Sequence, residues 1–197
     1  MMVDDQSIIH YSQGQFYYLY PEVKDDESQR EALLDLTMGS TRHLKSSELL
    51  RRGRLPAQNL AFSVKDDNTT LIATLRLWHI RFNKGLHEQE KGLLLGPLAV
   101  HPSLNGQGVG RFLMHHAILT AKANHHGVIF LVGDPAYYQR FGFCSSLTDK
   151  FSMPGPFEKE RFQAFELIQG YLKNCHGILK ANGKRIEKNL KSIQKVA

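Results

Sequence analysis

Three glycines stand at alternate positions, Gly106, Gly108 and Gly110, after an apolar run that stops at His101 and before a stretch with helical periodicity. Glycine has no Cβ and tolerates positive φ, so successive backbone N–H groups at such a turn can converge on one anion. A helix beginning near Gly110 would add unpaired N–H groups and the positive end of its dipole. The turn is therefore a candidate phosphate cradle, and a glycine-rich turn without a ligand is the alternative.

Two common nucleotide-binding motifs do not match this turn. A dinucleotide fingerprint needs two residues between its second and third glycines, but only Val109 separates Gly108 from Gly110. An NTPase loop ends in Gly-Lys-Ser or Gly-Lys-Thr, whereas Gly110 is followed by Arg111 and Phe112. The spacing therefore argues against both nucleotide classes.

The segments around the turn alternate between strand and helix patterns. The predicted strands cover residues 16–20, 60–64, 70–80, 90–100, 128–132 and 161–168. The predicted helices cover residues 28–38, 46–52, 110–124 and 136–141, and the first begins with a capping box of Ser28 and Glu31. The second and third strands should form an antiparallel hairpin, and the apolar run 128–132 should lie parallel to the strand before the turn.

Gly96 and Pro97 interrupt the predicted strand over residues 90–100. Proline cannot donate a hydrogen bond to a sheet ladder and glycine has no side chain to pack. The pair therefore predicts a bulge, or a place where this strand separates from its neighbour and leaves backbone groups free for a ligand. Two shorter strands joined by a kink are the alternative.

Composition indicates one domain followed by a basic end. The chain has 197 residues, 42% of them hydrophobic, which is enough for a substantial core. The net charge of +6 lies in residues 173–197, where seven Lys or Arg accompany one acidic residue. We therefore predict a domain over residues 1–172 and a basic C-terminal extension over residues 173–197, helical or frayed. Affinity for nucleic acid or for a membrane surface would depend on this extension alone.

A second basic segment lies near the N-terminal third of the chain. Its basic or titratable side chains are Arg42, His43, Lys45, Arg51, Arg52 and Arg54. These side chains could attract an acidic acceptor, and a solvated charged surface is the alternative.

The remaining features concern location and metals. Cys144 and Cys175 are the two cysteines, and their spacing is not that of a metal site, so we expect no metal. No apolar run approaches the roughly 18 residues of a membrane span, and the first residues lack the pattern of a secretion signal. We therefore expect a cytoplasmic protein without a membrane span, and an oligomer is compatible with the sequence.

Two motifs give this order of elements a family resemblance. Gly108 and Gly110 match the two small positions in the cofactor turn of the GNAT superfamily of acyl-CoA-dependent N-acetyltransferases. Tyr138, followed by Gly142-Phe143, matches the later motif of that superfamily, which is Tyr, three residues and Gly-Phe. The chain resembles this superfamily over residues 16–143.

The resemblance implies an α/β fold with a mixed, mostly antiparallel central sheet flanked by helices, a splayed central strand pair and a strand, glycine-rich turn and helix that hold the cofactor. It also implies acetyl-CoA as co-substrate, with the strand receiving the pantetheine arm and the turn holding the pyrophosphate. The implied cofactor-binding residues are Leu98, Ala99, Val100, Asn105, Gly106, Gln107, Gly108, Val109, Gly110 and Arg111. Asn105 departs from the Gln or Arg of the superfamily, which affects a side-chain contribution only.

The resemblance further implies how the reaction proceeds. An amine attacks the thioester carbonyl, and a backbone N–H near Ala99 or Val100 stabilises the oxyanion. Tyr138 is the implied acid that protonates the leaving thiolate, and a tyrosine merely packed against the sheet is the alternative.

Glu88 and Glu90 are candidates for the base that deprotonates the acceptor, directly or through a water. They precede the central strand, and simple alternation would place them on the same face as Leu98 and Val100. Exposed carboxylates without a chemical role are the alternative.

These observations lead to one hypothesis and two alternatives. The hypothesis is an N-acetyltransferase that moves an acetyl group from acetyl-CoA to a primary amine of a small molecule or peptide, by direct attack in a ternary complex. The first alternative is a non-catalytic acyl-CoA-binding or regulatory module whose basic extension contacts an acidic partner. The second is a nucleic-acid affinity of that extension, which would weaken steeply with salt.

Overall fold

The computed structural model describes residues 8–187, and over that range the chain forms nine strands and four α-helices. The strands are Ile8–Ser12 (β1), Gln15–Pro21 (β2), Ala61–Lys65 (β3), Leu71–Lys84 (β4), Glu88–Val100 (β5), Val128–Val132 (β6), Phe151–Ser152 (β7), Phe162–Glu166 (β8) and Cys175–Ala181 (β9). The helices are Glu27–Met38 (α1), Glu48–Arg51 (α2), Val109–Ala123 (α3) and Pro135–Tyr138 (α4). None of the helices in residues 8–187 is both long and apolar enough to cross a membrane.

One sheet organises the molecule. Its strands follow the order β1-β2-β3-β4-β5-β6-β8, and β9 joins it through β4 and also pairs with β7. The pairs β5–β6 and β7–β9 are parallel, whereas the other pairs among the described strands are antiparallel. The predicted mixed, mostly antiparallel sheet flanked by helices is therefore confirmed.

The core lies on both faces of this sheet because successive side chains of a strand point in opposite directions. Leu93 of β5 packs in one apolar cluster with Leu113 and Ala117, which lie four residues apart on α3. Leu94, the next residue of β5, packs in a second cluster with Phe130 of β6. Burial of apolar area on two faces fixes the central strands tightly, and the site is built on them.

Helix α1 is anchored by a buried carboxylate before its first turn. The Asp26 carboxylate accepts hydrogen bonds from the Ser63 hydroxyl at 2.8 Å and from the Lys65 ammonium at 2.6 Å. Asp26 is the N-cap residue, so the predicted start at Ser28 with its capping box is wrong. The helix ends before Gly39, as predicted, because Gly39 has a φ of 71°.

A bulge occurs in β5 at Gly96 and Pro97. Leu75 of β4 pairs with Leu98 and Leu77 pairs with Leu95, so two residues of β5 stand opposite one residue of β4. The extra residue reverses the alternation of faces. As a result, odd-numbered side chains before the bulge and even-numbered side chains after it point to the same face of the sheet.

The parallel strands β5 and β6 pair over a short stretch and then separate. Their paired residues are Leu93 with Ile129 and Leu94 with Phe130. Beyond Leu94, β5 continues along β4 but no longer pairs with β6. The predicted separation of this strand from its neighbour is therefore confirmed.

The ends of the described chain differ from the sequence-based prediction. Residues 173–197 were expected to form a helical or frayed extension, but β9 lies within them and pairs with β4. Its side chains Cys175 and Leu179 are buried in the apolar cluster around Phe130, which the basic charge of the segment conceals in the sequence. The sheet therefore extends beyond the predicted boundary at residue 172, and residues 188–197 lie outside the described part. Strand β1 was not predicted either.

Candidate active site

The glycine-rich turn leads directly into α3, and its glycines serve two purposes. Gly106 and Gly108 have φ values of 80° and 85°, which favour glycine strongly. Gly110 does not have a positive φ, but a Cβ at this position would lie 2.8 Å from the hydroxyl oxygen of Tyr137. The first two glycines are therefore required by backbone conformation, and the third by close packing.

The turn presents a row of unpaired backbone donors. Within residues 8–187, no hydrogen-bond acceptor contacts the N–H groups of Gly106, Gly108, Val109, Gly110 and Arg111. The last three belong to the first turn of α3, where no intrahelical acceptor exists and the helix dipole is positive. Asn105 and Gln107 were also predicted to bind the cofactor, but their N–H groups already donate to carbonyls within the turn.

His10 of β1 fixes the turn from outside. Its Nε2 lies 2.9 Å from the carbonyl oxygen of Gln107, and its ring stacks on Phe112 of α3 at a centroid distance of 5.3 Å. The sequence does not indicate this residue because β1 has no clear strand pattern. The turn is therefore held between its own helix and the N-terminal hairpin.

The gap between β5 and β6 exposes backbone groups beside this turn. Alternate residues of a strand direct their N–H and C=O groups to opposite edges. The N–H of His101 donates to the carbonyl of Ile72 on β4 at 2.8 Å. The backbone N–H and C=O of Ala99, two residues earlier, therefore point towards β4 as well. Leu98 and Val100 therefore face the gap, whereas the backbone of Ala99 is used within the sheet.

Tyr138 lies at the same gap, at the end of α4. Its ring packs so closely on Gly133 that a Cβ there would lie 2.2 Å from the ring. Among the described residues no group hydrogen-bonds to its hydroxyl, and the side chain lines a cavity together with Leu98. Burial raises the pKa of Tyr138 well above its ordinary value, and Tyr137 raises it further. The side chain is thus a protonated donor without a partner.

The structure does not bring Glu88 and Glu90 to this place. Glu90 pairs with Phe82, and eight residues of strand, about 26 Å, separate it from Leu98. The bulge also places both glutamates on the face opposite to Leu98, so the predicted shared face is wrong. Glu88 is exposed at the distant end of β5.

Glu90 already has partners of its own. Its carboxylate accepts hydrogen bonds from Lys84 and from the hydroxyl of Tyr171, both at 2.8 Å. Burial acts to raise the pKa of Glu90, but these hydrogen bonds outweigh it and hold the pKa below the ordinary value. Glu90 therefore forms part of a structural cluster.

A cavity of about 350 Å³ opens on the face of the sheet that carries α1 and α2. Its walls come from α1, the segment 42–54, Arg76 and Trp78 of β4, the bulge of β5 and Tyr138. The Trp78 indole donates to the carbonyl of Gly96 at 2.6 Å and fixes the bulge at the floor of the cavity. The basic segment noted in the sequence is thus part of a concave site.

Part of the charge around this cavity is neutralised by internal ion pairs. Glu22 accepts hydrogen bonds from Arg30 and Arg76, each at 2.6 Å. Arg42 contacts Glu31 at 2.6 Å and Asp35 at 2.8 Å. Burial acts to raise the pKa of Glu31, but the hydrogen bonds from Arg42 and Arg30 lower it below its ordinary value. These three arginines therefore hold α1 in place.

Comparison with curated proteins identifies relatives of this chain. Residues 16–143 match the model of the acetyltransferase (GNAT) family. The uncharacterized N-acetyltransferase YhbS of Escherichia coli K12 is 28% identical over 85 residues, which cover 43% of this chain and 51% of that protein. The chain thus spans about half the length of the curated relatives it matches.

Solved structures share the fold. The structure of the GNAT family N-acetyltransferase YhbS from Escherichia coli, in complex with CoA, has a TM-score of 0.71 and 24% identity, covering 88% of this chain and 93% of that chain. A GNAT family acetyltransferase from Brucella melitensis, in complex with acetyl-CoA, has a TM-score of 0.52 and 18% identity, covering 76% and 87%. Because the family model covers more than half of the sequence, this chain belongs to the acetyltransferase (GNAT) family.

Proposed function

We propose that this protein transfers an acetyl group from acetyl-CoA to a primary amine, by direct attack of the amine in a ternary complex. One observation carries the proposal. The gap between β5 and β6 connects the N–H groups at the start of α3 with the hydroxyl of Tyr138 and with the cavity beyond it, and neither the N–H groups nor the hydroxyl has a partner within residues 8–187. A single ligand could therefore place a phosphate at one end and a reacting carbonyl at the other.

The cofactor would bind mainly through backbone groups. Its pyrophosphate would accept hydrogen bonds from Gly106 and Gly108 and from the first turn of α3. Its pantetheine arm would lie along β5 as an additional strand, facing the groups of Leu98 and Val100. The complexes of relatives with CoA and acetyl-CoA support this choice of ligand.

The chemistry needs an oxyanion donor and an acid. When the amine attacks the thioester carbonyl, the N–H of Leu98 or Val100 would stabilise the negative oxygen, because these groups face the gap. The tetrahedral intermediate then expels the CoA thiolate, and Tyr138 would donate its proton to that sulfur. The proton that the attacking nitrogen loses would return to the Tyr138 phenolate, directly or through a water, so that the step balances. A raised pKa keeps Tyr138 protonated until the thiolate forms, and burial raises the pKa of the leaving thiol as well.

The amine must reach the carbonyl without a proton on its nitrogen. Glu88 and Glu90 lie too far along β5 to remove it, and the carboxylate of Glu31 is occupied by arginines. We therefore propose that the acceptor enters in its neutral form, so that the rate rises with pH towards the pKa of the amine.

Two measurements test the proposal. Calorimetric titration with acetyl-CoA should give a dissociation constant in the micromolar range, and a panel of primary amines should release free thiol in an amine-dependent manner. Absence of binding at millimolar acetyl-CoA would contradict the proposal. Binding without amine-dependent thiol release from any amine would favour the non-catalytic acyl-CoA-binding module instead.

A further inference from the structure

We propose that the acceptor amine carries an anionic group, a carboxylate or a phosphate, which binds to a cationic wall formed by Lys45, Arg51, Arg52 and Arg54. The inference deepens the proposed function, since it takes the cavity beside Tyr138 as the amine site. It concerns what the far wall of that cavity recognises.

The cationic wall has too few carboxylates to balance it. Arg51 and Arg52 share the single carboxylate of Glu48, at 3.1 and 3.9 Å. Among the described residues, no carboxylate lies within ion-pair distance of Lys45 or Arg54. Four cations therefore accompany one carboxylate on this wall, whereas the three arginines that hold α1 in place are balanced by Glu22, Glu31 and Asp35.

Arg51 carries the clearest sign of a missing anion. Its side chain is 11% exposed, and its Nε is buried without a hydrogen-bond acceptor among the described residues. A buried donor without an acceptor is costly, and a buried cation with an incomplete counter-charge is costly as well. Burial also lowers the pKa of Arg51, because the charged guanidinium is removed from water. An anion bound beside this guanidinium would satisfy both deficits.

Arg54 is positioned by the C-terminal part of the domain. Its Nη1 donates to the carbonyl of Gly183 at 2.6 Å, which is a neutral partner. The backbone on either side of it is fixed too, because Leu55 N–H donates to Lys184 O and Ile186 N–H donates to Gly53 O. The guanidinium is therefore held in place by a neutral carbonyl, which does not balance its positive charge.

The volume of the cavity limits the size of the ligand. A volume of about 350 Å³ is at the lower end of small-molecule sites. The wall and Tyr138 both line this volume, so a short molecule could place its amine at the gap and its anion at the wall. Guanidinium groups bind carboxylates and phosphates through paired hydrogen bonds, which favours such an anion over a hydroxyl or amide.

The experiment compares amines that differ only in charge. The probes are O-phosphoethanolamine against ethanolamine, and β-alanine against its amide. Binding to the CoA-loaded protein is measured by calorimetry, which does not require turnover, and thiol release from acetyl-CoA is measured separately. We expect at least one charged probe to bind about tenfold more tightly than its neutral counterpart, and the preferred pair tells a phosphate from a carboxylate.

Variants locate the effect on the cationic wall. Arg51→Gln should reduce the affinity for the charged probe about tenfold and leave the neutral probe within about twofold. Lys45→Gln, at an exposed position, should reduce it about threefold without a risk of misfolding. Arg81→Gln removes the same charge from an exposed site outside the cavity and should change neither affinity.

The two proposals fail in different ways. Equal affinities for charged and neutral probes, or an equal response to Arg81→Gln and Lys45→Gln, would overturn the anionic acceptor while thiol release with other amines still supports acetyl transfer. Selective binding of a charged probe without any thiol release would support the anion site and count against the transferase.

Discussion

The two ends of the gap between β5 and β6 are formed by different kinds of chemical group, backbone N–H groups at one end and side chains at the other. At the proposed cofactor end, five of the six residues 106–111 have backbone N–H groups without an acceptor in the described part of the chain, and three of these five begin helix α3. At the proposed acceptor end, the cavity is lined by side chains from α1, the segment 42–54 and β4. On the proposals above, the first end would bind an anion through main-chain N–H groups, and the second through charged side chains that other residues hold in place.

The difference determines what each end tolerates. A backbone site depends on a few glycines and on the packing behind them, so most side-chain substitutions should leave its ability to bind an anion unchanged. A side-chain site depends on ion pairs that position the arginines, and so it responds to single charge changes and to pH. The following predictions test this contrast, beginning with the largest expected effect.

Tyr138 stands where the two ends meet, and its loss should have the largest effect. We expect Tyr138→Phe to lower kcat about 100-fold or more, because the leaving thiolate loses its acid, and to change the dissociation constant of acetyl-CoA less than about twofold. Tyr20→Phe, at an exposed position on β2, is the control. Since burial raises the pKa of Tyr138, kcat should show no fall from deprotonation of this group up to about pH 10. An unchanged kcat would reduce Tyr138 to a packing residue.

The buried carboxylate below α1 should matter next, and to stability rather than to catalysis. Asp26→Asn should lower the free energy of unfolding by about 1–3 kcal/mol, because Lys65 and Ser63 lose a charged acceptor. Denaturant titration measures this, with Asp149→Asn, an exposed carboxylate 3.9 Å from Lys159, as the control. An equal loss of unfolding free energy in both variants would contradict a stabilising role of the buried Asp26 carboxylate.

The same carboxylate makes stability depend on pH. Burial acts to raise the pKa of Asp26, but the hydrogen bond from Lys65 and its other contacts hold it below the ordinary value. A lowered folded-state pKa gives stability that is present above the unfolded pKa, about 3.9, and is lost as pH falls through the folded value. Asp26→Asn should therefore reduce the loss of stability below about pH 4.

Gly108 tests the backbone site. Gly108→Ala should raise the dissociation constant of acetyl-CoA about tenfold, because a φ of 85° strains alanine and the turn would relax away from its binding shape. Gly170→Ala introduces similar strain at a φ of 76°, in open space outside the cofactor turn. Calorimetry should show weaker binding only in the first variant. Equal binding by the two variants would mean that the turn does not hold the cofactor.

His10 should give the smallest effect, since it supports the turn without contacting the ligand. His10→Ala removes the contact with the Gln107 carbonyl and the stacking on Phe112, and should weaken acetyl-CoA binding about threefold. His176→Ala, at an exposed position on β9, serves as the control. If His10→Ala leaves the affinity unchanged, the helix alone is sufficient to fix the turn.

The glycine-rich turn could be predicted from the sequence because its requirements are local. Gly106 and Gly108 are needed for their own φ values, and the start of α3 follows within one residue. The strand break at Gly96 and Pro97 was predicted for the same reason, since both residues disturb a ladder by their own chemistry. Such features can be recognised without knowing what packs against them.

The acceptor end and the edges of the sheet could not be predicted because their causes are tertiary. Arg30 and Arg76 are brought together because both donate hydrogen bonds to the carboxylate of Glu22, which lies in a different part of the chain. Strand β9 has the exposed side chains His176, Ile178 and Lys180, and its position against β4 explains why Cys175 and Leu179 are buried. The shared face predicted for Glu88, Glu90 and Leu98 was wrong because one extra residue in β5 reverses the alternation of the later side chains.

That extra residue makes the length of β5 as constraining as its composition. Deletion of Gly96 or Pro97 would restore simple alternation and exchange the outward and inward positions over the end of the strand. Ala99 would then occupy the place of its larger neighbours, the apolar contacts behind α3 would be lost, and different main-chain groups would face the cofactor. Substitutions in this strand can be absorbed one at a time, whereas a change in the number of residues would disrupt the core and the binding edge together.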